Sequence, residues 1–233
     1  MTDLYLYQIV HIARGRALHV DEHAALLDAA SREWFDRRFT PSVSVLKRQI
    51  ELRAEAEFYP TEVSGFIRIE LRPDGEVQLL PAGISLYDGY GYRSVQPSAV
   101  TLRYDLPLTE APTSAREAAT LLARRAAERQ GAGAVIRCDA GGTFREADGA
   151  PLFAIVGRTV IEAPGAASVE RSITRQAVVR AGLELRSEPF GLDDLNRLEE
   201  LFFTDHRGIT SLSHCNGLPL MTFLAERIAA ALE

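Results

Sequence analysis

The segment FIRIELRPDGEVQLLP, residues 66–81, constrains the fold more than any other stretch. Two alternating runs flank Pro-Asp-Gly, whose glycine supplies the positive φ of a tight turn, so the segment predicts an antiparallel hairpin. A hairpin with one apolar face needs a partner layer to cover it. The residues before it supply both more sheet and the cover. LYLYQIVHI, residues 4–12, is rich in aromatic and branched side chains, and Arg14-Gly15 leads into a short run over 17–20, which predicts a second hairpin. Asp21 is expected to cap a helix over DEHAALLDAASREWF, with Ala25, Leu26, Ala29, Ala30 and Phe35 as its buried stripe. Thr40-Pro41 is expected to open a second helix carrying Val43, Leu46, Ile50 and Leu52.

The pattern changes after residue 108. LPLTEAPTSA contains two prolines and little periodicity, and places a domain boundary there. Ser114 and Glu117 read as a capping box for a helix through residue 130. Short strands follow at AVIRCD, TFRE, LFAIV and RTVIEA, then a helix through RQAVVRAGL and a last helix through MTFLAERIAAAL. Many short strands with few helices predict a β-rich, barrel-like lobe. The expected fold class is therefore α+β in two lobes: a small N-terminal α/β sandwich over residues 1–108 and a C-terminal barrel-like lobe with helices over 109–233.

Charge and cysteine content narrow the function. A formal net charge of -6 argues against a nucleic-acid partner, because phosphate binding needs a basic surface. Cys138 and Cys215 are far apart, with no ligand-spaced histidine, so neither zinc nor a disulfide framework is expected. The opening MTDLYLYQIVHIARGR has no basic region followed by an apolar stretch, and no window reaches the roughly 18 apolar residues of a membrane span. A cytoplasmic protein with no membrane association is expected.

Four stretches in order carry a resemblance: YQIVHIARGRALHVDEHAALLDAA, LLARRAAERQGAGAVIRCDAGGTFREADGAPLF, SITRQAVVRAGLEL and LFFTDHRGITSLSHCNG. Gly15, Glu22 and His23 fall in register in the first. Together they resemble the class IV aminotransferases, the group of branched-chain and D-amino-acid aminotransferases and aminodeoxychorismate lyase. The resemblance implies a small and a larger lobe with a cofactor cleft between them, pyridoxal phosphate as cofactor, and a homodimer.

Residue by residue, the resemblance implies that Glu146 pairs with the pyridine nitrogen, keeping it protonated so that the ring can accept electrons. It places the backbone amides of Ile173 and Thr174 against the phosphate at a helix start, where free N–H groups favour an anion. His11 stands where an arginine commonly clamps the phosphate, and imidazole cannot form the same bidentate pair. Asp205 stands at a phosphate-binding threonine; a carboxylate about 4 Å from a phosphate costs on the order of 4 kcal/mol at an effective dielectric near 20. His206 and Arg207 fall where substrate carboxylates are received, and with Asp205 they equally read as a local ion-paired turn.

The Schiff-base lysine is expected at or next to Thr113, and no lysine is there. Of 26 basic residues only Lys47 is a lysine, and it is expected on the surface of a small-lobe helix. The expectation is a homologue without the cofactor-anchoring amine, carrying no cofactor and binding a small anionic ligand or acting in assembly. The alternative is a working pyridoxal phosphate aminotransferase or lyase.

Overall fold

The computed structural model describes residues 4–232, which divide into two compact units. The N-terminal unit runs to residue 89 and takes in 111–116; the C-terminal unit contains 90–110 and everything from 117 onward. Sequence pattern put the break at 108. Residues 91–103 instead supply two strands to the C-terminal sheet, and 111–116 run back along the first strand of the N-terminal one.

In the N-terminal unit, β1 (Leu6–Ala13), β2 (Arg16–Ala17), β3 (Gly65–Leu71) and β4 (Val77–Ile84) form an antiparallel sheet in the order β2-β1-β3-β4. Both hairpins expected from sequence are present. Helices α1 (Val20–Phe35) and α2 (Val43–Ala56) cover one face, where Leu6, Val10, Ile12, Ile67, Ile69 and Leu71 meet Leu27, Leu46 and Ile50. Period-two alternation sends the odd-numbered residues of β1, His11 among them, to the other face.

Three helix starts differ from the sequence reading. Helix α1 begins at Val20 after His19 in the left-handed region at φ 52, so Asp21 lies inside the first turn. Its buried stripe is accordingly Val20, His23, Ala24, Leu27, Ala30 and Ser31, while Ala25 and Ala29 are exposed. Helix α2 is capped by Ser42, whose Oγ accepts from the Val45 amide at 3.4 Å, and Val43 and Leu52 face solvent. Helix α3 (Ser114–Arg129) is capped by Thr113, one residue before the expected Ser114: its Oγ1 accepts from the Arg116 amide at 3.1 Å.

The C-terminal unit contains β5 (Gly91–Tyr92), β6 (Ser98–Arg103), β7 (Ala134–Cys138), β8 (Phe144–Ala147), β9 (Ala150–Val156), β10 (Thr159–Glu162), α4 (Val169–Arg180), β11 (Glu184–Ser187), β12 (Glu200–Asp205), β13 (Gly208–Ser211), β14 (His214–Cys215), β15 (Leu218–Pro219) and α5 (Leu224–Ala229). These strands form one curled sheet in the order β15-β14-β6-β7-β8-β9-β12-β13-β5, with β10 and β11 branching from β9. One face packs Ile136, Phe144, Leu152, Leu201 and Phe203 into a core. The other packs Phe153, Ile155 and Phe202 against α4 and α5, and Val135 against Ala123 and Ala127 of α3. Buried Glu200 accepts three amides, from Phe223, Leu224 and Ala225 at 2.7–3.0 Å, and so ties the start of α5 to the sheet. The α+β class expected from sequence is the one found. Among the described residues no helix is long and apolar enough to cross a membrane.

Candidate functional site

Buried charged side chains meet across β7 and β8 in the C-terminal unit. Antiparallel pairing sets Arg137 opposite Glu146, and opposite residues share a face. Both are 4 % exposed. Arg137 donates from Nε to Glu146 Oε1 at 3.1 Å and from Nη2 to Glu110 Oε1 at 3.0 Å, and Arg145 lies 3.6 Å from the same Glu110 oxygen. Burial works against the Arg137 charge, but the two glutamates outweigh it and raise its pKa above the ordinary value. Glu146 therefore sits against a guanidinium supplied by its own sheet.

The pattern repeats two residues further along. Asp148 and Gly149 form the two-residue turn between β8 and β9, with φ of 52 and 78 as a twist-matched hairpin requires. Asp148 Oδ1 accepts from the Val135 amide at 3.0 Å and pairs with Arg124 of α3 at 3.3 Å. Burial pushes the Asp148 carboxyl up, with Arg124 and the Val135 amide opposing and Asp205 adding to the rise. Asp205 ends β12. Its Oδ1 accepts from the Arg207 amide at 2.8 Å, and its Oδ2 accepts from Nε and Nη2 of the Arg207 guanidinium. Burial opposes the Asp205 charge, yet His206 and Arg207 outweigh it and hold the carboxyl below its usual value. Asp148 also contributes to raising the pKa of Arg207. Gly208 closes this hairpin at φ 125, and a Cβ there would lie 2.0 Å from the Gly91 carbonyl oxygen of the adjoining strand.

Helix α4 starts earlier than the resemblance implied. Its cap is Ser168, whose Oγ accepts from the Arg171 amide at 3.2 Å, and its first residue is Val169. Ile173 and Thr174 are thus the fifth and sixth helical residues, past the four positions whose amides lack an i−4 carbonyl. Thr174 donates its hydroxyl to the Glu170 carbonyl at 2.7 Å and shares a 2.9 Å hydrogen bond with the Thr204 hydroxyl; both threonines are fully buried. Arg171 locks the approach to the helix by donating to the carbonyls of Ala163 and Ala166 and to Glu162, the last at 2.6 Å. Glu162 also takes Arg175 and the Ser187 hydroxyl.

In the N-terminal unit, fully buried His11 bonds through Nε2 to Ser64 Oγ at 2.5 Å and stacks edge-on against Phe66. Ser64 Oγ also accepts from the Gly89 amide at 2.8 Å, so His11 supports the loop that follows β4. Thr113 is 5 % exposed; it bridges to Leu6, and its neighbours exchange backbone bonds with Tyr5 and Tyr7. Lys47 is exposed on α2, next to buried Leu46 in sequence. Among the described residues no group of three or more His, Cys, Asp or Glu side chains is arranged to hold a metal ion.

Comparison with known proteins gives these positions a frame. The family model described as Amino-transferase class IV matches residues 6–206. The chain belongs to the class IV aminotransferase family. No curated protein matches it by sequence. Among solved structures of this fold it is similar to a branched-chain aminotransferase from Thermoproteus uzoniensis with norvaline (TM-score 0.81, 14% identity, 97% of this chain and 83% of that one). It is also similar to a hypothetical aminotransferase from Mycobacterium tuberculosis in its PLP-bound form (TM-score 0.78, 17% identity, covering 98% and 88%). A third is a putative 4-amino-4-deoxychorismate lyase from Legionella pneumophila (TM-score 0.78, 11% identity, covering 96% and 88%). At these identities the likeness is one of class IV fold.

Sequence reading singled out Glu146, Asp205, His206 and Arg207 but missed the groups that answer Glu146 and Asp148, namely Arg137, Glu110 and Arg124. One signal was available. Arg137 is the only charged residue in AVIRC, and a lone charge in a buried strand needs a partner.

Proposed function

We propose that this chain is a class IV aminotransferase homologue that works without a lysine-bound cofactor. The observation carrying the proposal is at Thr113. The side chain at the expected lysine position is a buried helix cap, and the chain's one lysine stands exposed on α2. A threonine hydroxyl engaged by an amide cannot supply the amine that holds the cofactor and moves the proton in transamination. The proposed role is binding or assembly, as a homodimer.

The fit of pyridoxal phosphate to the residues present is poor in this reading. Glu146 is taken by Arg137, the amides of Ile173 and Thr174 lie inside α4, and Asp205 is ion-paired with Arg207. The second reading, a working aminotransferase or lyase, draws on one observation: Glu146 retains the carboxylate that would answer the pyridine nitrogen. The test separates the two. Purified protein is mixed with pyridoxal phosphate, dialysed, reduced with borohydride and mapped by peptide mass spectrometry. The proposal expects no band near about 410–420 nm after dialysis and no stoichiometric label. A retained band with a single reduced label on Lys47 establishes the second reading instead.

A further inference from the structure

We infer that the C-terminal unit excludes phosphorylated pyridine cofactors in every form, because its charges are already neutralised by one another. The inference builds on the proposed function but does not depend on the lysine. Four cations, Arg124, Arg137, Arg145 and Arg207, stand among four anions, Glu110, Glu146, Asp148 and Asp205. Each of these four guanidiniums already faces a carboxylate, and His206, a further positive group, lies beside Asp205, so a phosphate dianion would have to displace an anion already in place.

Three observations on different elements converge. On β7 and β8, Arg137 occupies Glu146 with a cross-strand pair that is shielded from water, so a ring nitrogen would have to displace a guanidinium held by two carboxylates. On α4, the Ser168 cap and the Arg171 clamp move the free amides one turn ahead of Ile173 and Thr174 and use one of them internally. On the β12–β13 turn, Asp205 holds its negative charge and faces Arg207, which the same residue neutralises. Arg137 is the determinant: it is the residue whose charge converts Glu146 from a ligand contact into a structural ion pair.

The probe is pyridoxamine phosphate, whose amine cannot condense with a protein lysine, so its retention reads the wall and not the residue at 113. Equilibrium dialysis and calorimetric titration of the full chain are expected to show no binding tighter than about 1 mM. Glu146→Gln is expected to leave that result unchanged while lowering the melting temperature, because it leaves Arg137 short of a buried partner. Retention of pyridoxamine phosphate in the micromolar range by the unaltered protein overturns the inference. So does a Glu146→Gln protein that melts within 1 °C of the parent, since the pair would then hold nothing. Micromolar retention of pyridoxamine phosphate, with no lysine labelled when a parallel sample is treated with pyridoxal phosphate and borohydride, would sink this inference and leave the proposed function standing; a Lys47 label in that parallel sample would sink that proposal directly.

Discussion

At the scale of single residues, the two aspartates near the β8–β9 and β12–β13 turns titrate in opposite senses. The Asp205 pKa is depressed in the fold, so its contribution to stability is present above the unfolded value near 3.8 and is lost as the pH falls through the lower folded value. Asp148 is raised. Its favourable contribution is present at low pH and is lost as the pH rises through the folded value, because the charged form is the one burial penalises. Thermal melts across pH 2–7 check both signs: Asp205→Asn should flatten the slope below about pH 4, and Asp148→Asn the slope just above it. An unchanged profile in either variant rules out that assignment. Near neutrality Asp205→Asn should cost about 1–2 kcal/mol, discounted because Arg207 is over a third exposed.

Helices and strands fail or survive by their ends. Thr113→Ala removes the α3 cap and should cost about 1 kcal/mol, with Thr113→Ser restoring most of it, as measured by urea unfolding. Glu200→Ala abandons three amides at the start of α5 and should cost about 2–3 kcal/mol; a loss below 0.5 kcal/mol would show that water replaces the carboxylate. These ends are also where sequence reading was weakest. The β3–β4 hairpin was legible because alternation and Pro-Asp-Gly agreed. The β12 and β13 strands were not: every residue from Glu200 to Thr204 and from Gly208 to Ser211 is buried, which erases alternation, and only the ion-paired turn at Asp205-His206-Arg207 could be read. The α1 stripe was misread because the helix starts after a left-handed His19, a conformation with no mark in the sequence. Glu146 could be found by resemblance, but its partner Arg137 could not, since cross-strand register decides which side chains meet.

At the scale of the whole molecule, family and fold were readable because four segments match in order, whereas function depends on a few side chains that depart from them. The proposed homodimer should sediment at twice the 25.6 kDa chain mass, and a monomer at micromolar concentration would remove assembly from its proposed role. The eight charged groups drawn from β7, β8, α3, β12 and the adjoining loops have a kinetic consequence as well. Opposite charges held a few ångströms apart cancel at a distance, so this face projects almost no field into solvent, on a molecule whose overall charge of -6 already repels anions. A partner reaching it gains no local electrostatic steering, and what ionic-strength dependence its arrival shows comes from the overall charge.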